Sequence, residues 1–213
     1  MNIQTQTNSD VVLALEDESA TATDSKTQVE LEHVFYVKIS DLDQLKNAAT
    51  SVDQEQWSIQ VKNSDAHRYG GSIRVRAING ESFAFCIKSF EKGKRGGLEN
   101  EFQVGKDVFE QFKRLSNSGM VKTRYTFPIE GTEYAWEVDI YKMPDGSPAP
   151  WAKIDLEVKD ADFQIPELPI KCDKVVRDQP HNRTPDLQTF IDHVMSTYLV
   201  TKNQYMVPES DPE

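Results

Sequence analysis

Acidic and basic residues stand at alternate positions in several stretches of this sequence: Glu30 and Glu32; Arg74, Arg76 and Lys88; Glu99 and Glu101; Lys122 and Arg124; Glu137 and Asp139; Lys153, Asp155 and Glu157. Carboxylate oxygens are ligands for hard divalent cations, alongside water and phosphate oxygens. Arginine forks and lysine ammonium groups bind whatever phosphate oxygens remain. Gathered around one space, these eight acids and six bases could hold a metal ion and a phosphate chain together. Spread over a solvated surface, they would be ion pairs worth little.

Strands are the elements that would gather them, because successive side chains in a strand point to opposite faces. The same segments then carry an apolar face: Leu31 and Phe35; Ile73 and Val75; Trp136, Val138 and Ile140; Ile154 and Leu156. A closed barrel would turn all the charged faces toward a common lumen. The plainer alternative is an open antiparallel sheet with cross-strand ion pairs on its solvated side.

Local signals set the order of elements. A strand is expected over 29–38, then a helix over 41–50 with Asp41 near its start and Leu42 and Leu45 as its stripe. Another strand is expected over 57–61. The alternating runs 72–78 and 82–88 flank Asn79-Gly80, a dipeptide suited to a tight hairpin. A strand through Glu99, Glu101 and Gln103 leads to a helix in which Val108, Phe109, Phe112 and Leu115 recur at helical spacing. Strands over 120–127, 134–141 and 151–158 come next, and 160–184 reads as mostly loop. Thr184-Pro185 opens a last helix whose stripe is Leu187, Phe190, Ile191, Val194, Met195 and Tyr198.

The 213 residues, 38% of them apolar, suit one domain with a sizeable core. Residues 1–27 and 203–213 have the polar composition of loose tails, which leaves 28–202 as the domain. Lys plus Arg number 24 against 35 Asp plus Glu, a formal charge of -11. That balance speaks against DNA or an anionic membrane as partner. Cys86 and Cys172 have no Cys or His at ligand spacing, so reduced thiols are expected. The run VVLAL at 11–15 is too short for a signal core and nothing is long enough to span a bilayer, so a soluble cytoplasmic protein is expected. The sequence names no protein partner. Lys92, Lys94 and Arg95 read as a solvated loop, and His67, His181 and His193 as structural or exposed. Trp57, Trp136 and Trp151 read as core.

The succession VELEHVF at 29–35, SIRVR at 72–76, FCIK at 85–88, LENEF at 98–102, VKTRY at 121–125, WEVDIY at 136–141 and AKIDLE at 152–157 resembles the CYTH superfamily, the triphosphate tunnel metalloenzymes. Thiamine triphosphatases, inorganic triphosphatases, class IV adenylate cyclases and some RNA triphosphatases belong to it. The resemblance covers about 29–185. It implies an α+β, mostly β fold: an eight-stranded antiparallel closed tunnel barrel with a charged lumen and flanking helices. It also implies a small-molecule triphosphate or nucleotide as ligand and Mg²⁺ or Mn²⁺ as cofactor.

Carried over by position, the family pattern makes Glu30 and Glu32, with Asp155, the metal carboxylates, and Glu30, Glu32 and Lys122 the catalytic set. Arg74, Arg76, Lys88, Lys122 and Arg124 become the phosphate clamp, and Glu99, Glu101, Glu137 and Asp139 the supporting acids. The chain departs from the pattern twice. Val34 stands where the opening Glu-x-Glu-x-Lys motif has its lysine, and Lys153 stands where a glutamate is usual. Lys38 has the right parity but lies roughly 13 Å further along the strand. Lys153 is therefore expected to reach into the space beside Val34 and bind phosphate, thinning the metal site. The resemblance implies metal-dependent triphosphate hydrolysis. The alternatives are a polyphosphate-binding or nucleotide-binding protein with weakened or lost turnover, and a class IV cyclase-like activity.

Overall fold

The computed structural model describes residues 31–61, 69–91, 98–116 and 118–192. Nine antiparallel strands build one sheet: β1 (Leu31–Lys38), β2 (Thr50–Val61), β3 (Tyr69–Ile78), β4 (Ser82–Glu91), β5 (Leu98–Gln103), β6 (Ser118–Pro128), β7 (Ala135–Lys142), β8 (Pro148–Val158) and β9 (Lys174–Arg177). Their order across the sheet is β5-β4-β3-β2-β6-β7-β8-β1-β9. One α-helix, α1 (Lys106–Leu115), and short 3-10 turns over Leu42–Asn47 and Pro180–Asn182 complete the named elements, and residues 185–192 are helical.

Two features of the expected barrel are corrected. The sheet has nine strands rather than eight, and it is open, with β5 and β9 as its edges among the described residues. The extra strand explains both. β9 is only Lys-Val-Val-Arg, too short for alternation to reveal it, and it lies along β1 with Phe35 opposite Arg177 and Lys38 opposite Lys174. That side of β1 is therefore occupied, and β5 pairs with β4 alone.

The open sheet nevertheless curls. Residues from β1 and β4, six places apart in the strand order, line the same cavity. The apolar faces lie on the outside of the curl. Trp136, Val138, Ile154, Leu156 and Val37 pack beneath the connection after β8, which contributes Phe163, Ile165, Leu168 and Ile170. Trp57, Val75 and Ala77 pack against Phe109 and Phe112 of α1. The buried side of α1 is narrower than expected, since Leu115 is 75% exposed and Val108 is also exposed.

The hairpin turn forms at Asn79 and Gly80, with φ angles of 50° and 70°, and the Asn79 side chain accepts the Asp53 N–H at 2.9 Å. β2 begins seven residues before the expected Trp57. Its first half, Thr-Ser-Val-Asp-Gln-Glu-Gln, lacks apolar alternation because one face meets the cavity through Gln56 and the other meets α1, where Lys113 Nζ lies 2.5 Å from Glu55. The helix expected over 41–50 is a 3-10 turn capped by Asp41, which accepts the Asp43 N–H. The tails 1–27 and 203–213, together with Glu30, Lys92, Lys94, Arg95, His67, His193, Val194, Met195 and Tyr198, lie outside the described residues. No helix of the described residues is long and apolar enough to cross a membrane.

Candidate functional site

The charged faces meet in a cavity of about 480 Å³ on the inside of the curl, within the size range of small-molecule sites. Six bases line it: Arg74 and Arg76 from β3, Lys88 from β4, Lys122 and Arg124 from β6, and Lys153 from β8. Glu32, Glu99, Glu101, Glu137, Asp155 and Glu157 line it as well. Strand register sets acids and bases opposite one another, and the curl of the sheet turns them inward. Arg124 stands opposite Asp139, Asp139 opposite Lys153 and Glu137 opposite Asp155, and Lys88 opposite Glu99. These are the cross-strand pairs of the open-sheet alternative, yet curvature withdraws them from water: Asp139 is 0%, Asp155 3% and Lys122 5% exposed.

Asp139 anchors the β6–β7 part of the site. Arg124 donates to it from Nε at 2.7 Å and from Nη2 at 2.8 Å, and the Lys122 ammonium donates to the same carboxylate. Arg124 also pairs with Glu137 and lies 3.6 Å from Asp155. Burial opposes the charge on Asp139, but Arg124 and Lys122 outweigh it and hold the carboxyl down at about 2. Lys122 is pulled the other way. Burial, with Arg124 and Lys153 nearby, brings its ammonium down to about 8 despite Asp139. This lysine holds its proton less firmly than an ordinary lysine does.

Lys153 organises the β8–β1 part. Its Nζ lies 2.8 Å from Asp155 and 3.1 Å from Glu32. Burial works against its charge, and Asp155, Tyr141 and Glu32 more than offset that, so it stays an ammonium. Burial likewise opposes ionisation of Glu32, but Lys153, helped by Lys88 and Arg124, keeps its carboxyl below the ordinary range. Asp155 is pushed up to about 6 by burial, against the pull of Lys153, with Asp139 and Glu32 adding like charge.

This arrangement bears on the expected Mg²⁺ or Mn²⁺. A divalent cation shared by Glu32 and Asp155 would sit beside an ammonium that already bridges them. Two unit charges 4 Å apart at an effective dielectric of 20 repel by about 4 kcal/mol, and a divalent ion doubles this to about 8 kcal/mol. The residues as placed do not fit a divalent cation at that point. Glu30, the remaining expected ligand, lies outside the described residues.

The β3–β5 part carries Arg74, Arg76 and Lys88 with Glu99 and Glu101. Arg74 pairs with Glu99, Lys88 lies 3.4 Å from the same carboxylate, and Arg76 lies 3.7 Å from Glu101. The Nε atoms of Arg74 and Arg76 are buried without a hydrogen-bond partner among the described residues. Cys86, opposite Arg74 in the register, donates its thiol to Glu99 at 3.0 Å. Cys86, Glu99 and Glu101 bring their ligand atoms within 4.8 Å of one another. Burial and the Glu99 carboxylate push the thiol up to about 11. Near neutral pH it is a neutral thiol that donates to Glu99.

Of the site residues expected from the sequence, the cavity brings together Glu32, Arg74, Arg76, Lys88, Glu99, Glu101, Lys122, Arg124, Glu137, Lys153 and Asp155, with Asp139 buried behind Lys122 and Arg124. Gln56, Met120 and Tyr141 line it too and were missed, as was Cys86. Parity alone could have found Met120 and Tyr141, two residues before Lys122 and two after Asp139. Gln56 needed the register that sets it opposite Arg76.

One end of the charged face is apolar. Leu187 and Phe190 of the 185–192 helix pack with Tyr141 and Trp151, joined by Tyr36 and Met120, and the Phe190 ring meets Tyr141 edge-on at 5.7 Å. Burial drives the Tyr141 phenol far above its ordinary range, so it stays neutral. Trp57, Trp136 and Trp151 are all core residues, as expected.

No family model matches the chain, and no curated protein sequence matches it. Among solved structures, the chain is similar to the crystal structure of the inorganic triphosphatase NE1496, at 17% identity and a TM-score of 0.38, over 64% of this chain and 83% of that one. A second crystal structure, of the hypothetical protein NE1496, gives 19% identity and a TM-score of 0.38, over 64% of this chain and 84% of that one. At that identity and that superposition, the likeness concerns the course of the chain alone.

Proposed function

We propose that this chain binds a short polyphosphate, or the triphosphate of a nucleotide, in the charged cavity. The observation that carries the reading is the convergence of six bases from four strands on one 480 Å³ space, two of them arginines with a buried Nε–H left unpartnered among the described residues. A buried donor without an acceptor is costly, and phosphate oxygens are acceptors of the right charge. The carboxylates that hold the other donors would give way to the anion, exchanging one charge-assisted hydrogen bond for another.

Binding is better supported than turnover. Phosphoryl transfer rests on positioning and on neutralising charge as it develops, and the bases can do both for a bound chain. Hydrolysis by a metal-assisted route needs a divalent cation among Glu30, Glu32 and Asp155, and the ammonium of Lys153 stands between two of these.

Calorimetry with tripolyphosphate and with ATP, in Mg²⁺ and in chelator, tests the reading, with phosphate release followed alongside. Saturable binding is expected. Arg74→Gln should raise the dissociation constant by about tenfold or more, as a lost charge-assisted contact worth about 1.5 to 3 kcal/mol implies. Absence of binding to either anion in both buffers overturns the proposal. Phosphate release that requires Mg²⁺ and stops in Glu32→Ala would make the chain a metal-dependent triphosphatase instead.

A further inference from the structure

The Lys153 ammonium occupies the place where a hard cation would bridge two carboxylates. It contacts Glu32 on β1 at 3.1 Å and Asp155 on its own strand at 2.8 Å. Register explains the reach. Tyr36, Val34 and Glu32 stand opposite Lys153, Asp155 and Glu157 in turn, so the lysine stem runs past the Val34 row to meet Glu32. Val34, with no charge and too short a side chain to bridge the carboxylates, does not compete for them. Lys153 itself is only 21% exposed along its side chain, and Asp155 only 4%. The ammonium is therefore fixed between its partners rather than swinging in solvent.

We infer that Lys153 replaces the divalent cation: the cavity takes a polyphosphate as the free anion, and it discriminates against the magnesium complex of the same anion. The inference rests on the polyphosphate reading above and adds the ionic form of the ligand. An ammonium offers three donors and one charge without a coordination sphere to complete. As a phosphate chain enters, Lys153 exchanges Glu32 for a phosphate oxygen and keeps Asp155. A magnesium ion carried in on the ligand would meet that ammonium at close range and in low dielectric, where repulsion between like charges is least screened. The other five bases then supply the neutralisation that the metal would have supplied.

Two measurements on the full chain decide this. The first is a Mn²⁺ titration read by the electron paramagnetic resonance signal of free Mn²⁺, with no phosphate present. The wild-type chain is expected to show no site removed by Glu32→Gln, whereas Lys153→Ala should gain a site that the added Glu32→Gln removes. A wild-type site that takes up one Mn²⁺ and disappears in Glu32→Gln overturns the inference. Because the wild-type arm needs no Lys153 variant, an unfolded Lys153→Ala leaves the result readable.

The second is tripolyphosphate calorimetry in chelator and in excess Mg²⁺. Binding should persist in chelator and weaken in Mg²⁺, and Lys153→Met should weaken the chelator value tenfold or more. Binding that requires Mg²⁺, or tightens tenfold in it, overturns the inference. Absence of binding in both buffers overturns the polyphosphate reading itself, and the Mn²⁺ titration still tells whether Lys153 excludes a divalent cation.

Discussion

Arg124 grips Asp139 with both ends of its guanidinium edge, Nε to Oδ1 at 2.7 Å and Nη2 to Oδ2 at 2.8 Å, between directly opposed positions of β6 and β7. The carboxylate is fully buried and also holds Lys122. Asp139→Asn keeps the shape but leaves the buried Lys122 and the partly buried Arg124 short of their shared counter-ion. Removing one partner of a buried pair costs about 3 to 5 kcal/mol, and urea denaturation should show a loss of that size. The pH dependence has a definite sign. Because the folded carboxyl is depressed from 3.8 to about 2, its contribution is complete above the unfolded value and fades as pH falls through that window. The Asn variant should lack this acid-induced loss.

Lys122 gives two opposite slopes in the alkaline range. Its folded ammonium is held down at about 8, chiefly by burial, from an ordinary 10.5. The unfolded chain therefore binds more protons between those values, and the group's contribution to stability rises with pH across them. Affinity for tripolyphosphate should do the reverse, falling once pH passes about 8 as the cavity loses a cation. Calorimetry from pH 7 to 9.5 should show this bend in the wild type and none in Lys122→Met. A flat wild-type profile would remove Lys122 from the phosphate path.

Glu99 holds both Arg74 and Lys88, so it competes with any anion for them. Glu99→Gln should tighten tripolyphosphate binding by about 1 kcal/mol, roughly fivefold in dissociation constant. Most substitutions at a binding site weaken it, so the direction is diagnostic. Unchanged or weaker binding in the variant would show that Arg74 and Lys88 are not the bases that the ligand recruits.

Gly119 on β6 lies against the Trp57 ring, and a Cβ built there would come within 2.5 Å of ring carbon Cε3. The indole has little room to retreat, because it is buried against Val75, Ala77 and Phe109. Gly119→Ala should cost about 1 to 3 kcal/mol by overpacking, measurable by chemical denaturation with tryptophan fluorescence as the probe. A variant as stable as the wild type would mean that the α1 side of the sheet yields more easily than its packing suggests.

What the sequence determined by itself is the two-faced character of the strands. Arg74 and Arg76, Lys122 and Arg124, and Glu137 and Asp139 share a face because strand geometry has period two, and no tertiary contact is needed to know it. The hairpin at Asn79-Gly80 was legible from local chemistry too, since its turn needs residues that tolerate positive φ. β2 was half hidden because Gln54, Gln56 and Ser58 are buried polar residues, and burial of that kind leaves no hydrophobic trace. β9 was hidden by its length.

Tertiary structure alone decided three things. The curl of the sheet turned a charged face into a cavity rather than a solvated surface. The docking of β9 on β1 left the sheet open where closure was expected. The placement of Lys153 between Glu32 and Asp155 depends on the β1–β8 register, which joins residues more than a hundred positions apart. Local periodicity states which way a side chain points along its own strand. It carries no information about which distant strand that side chain will face, and the ion pairs that define this site are all of the second kind except the one within β8.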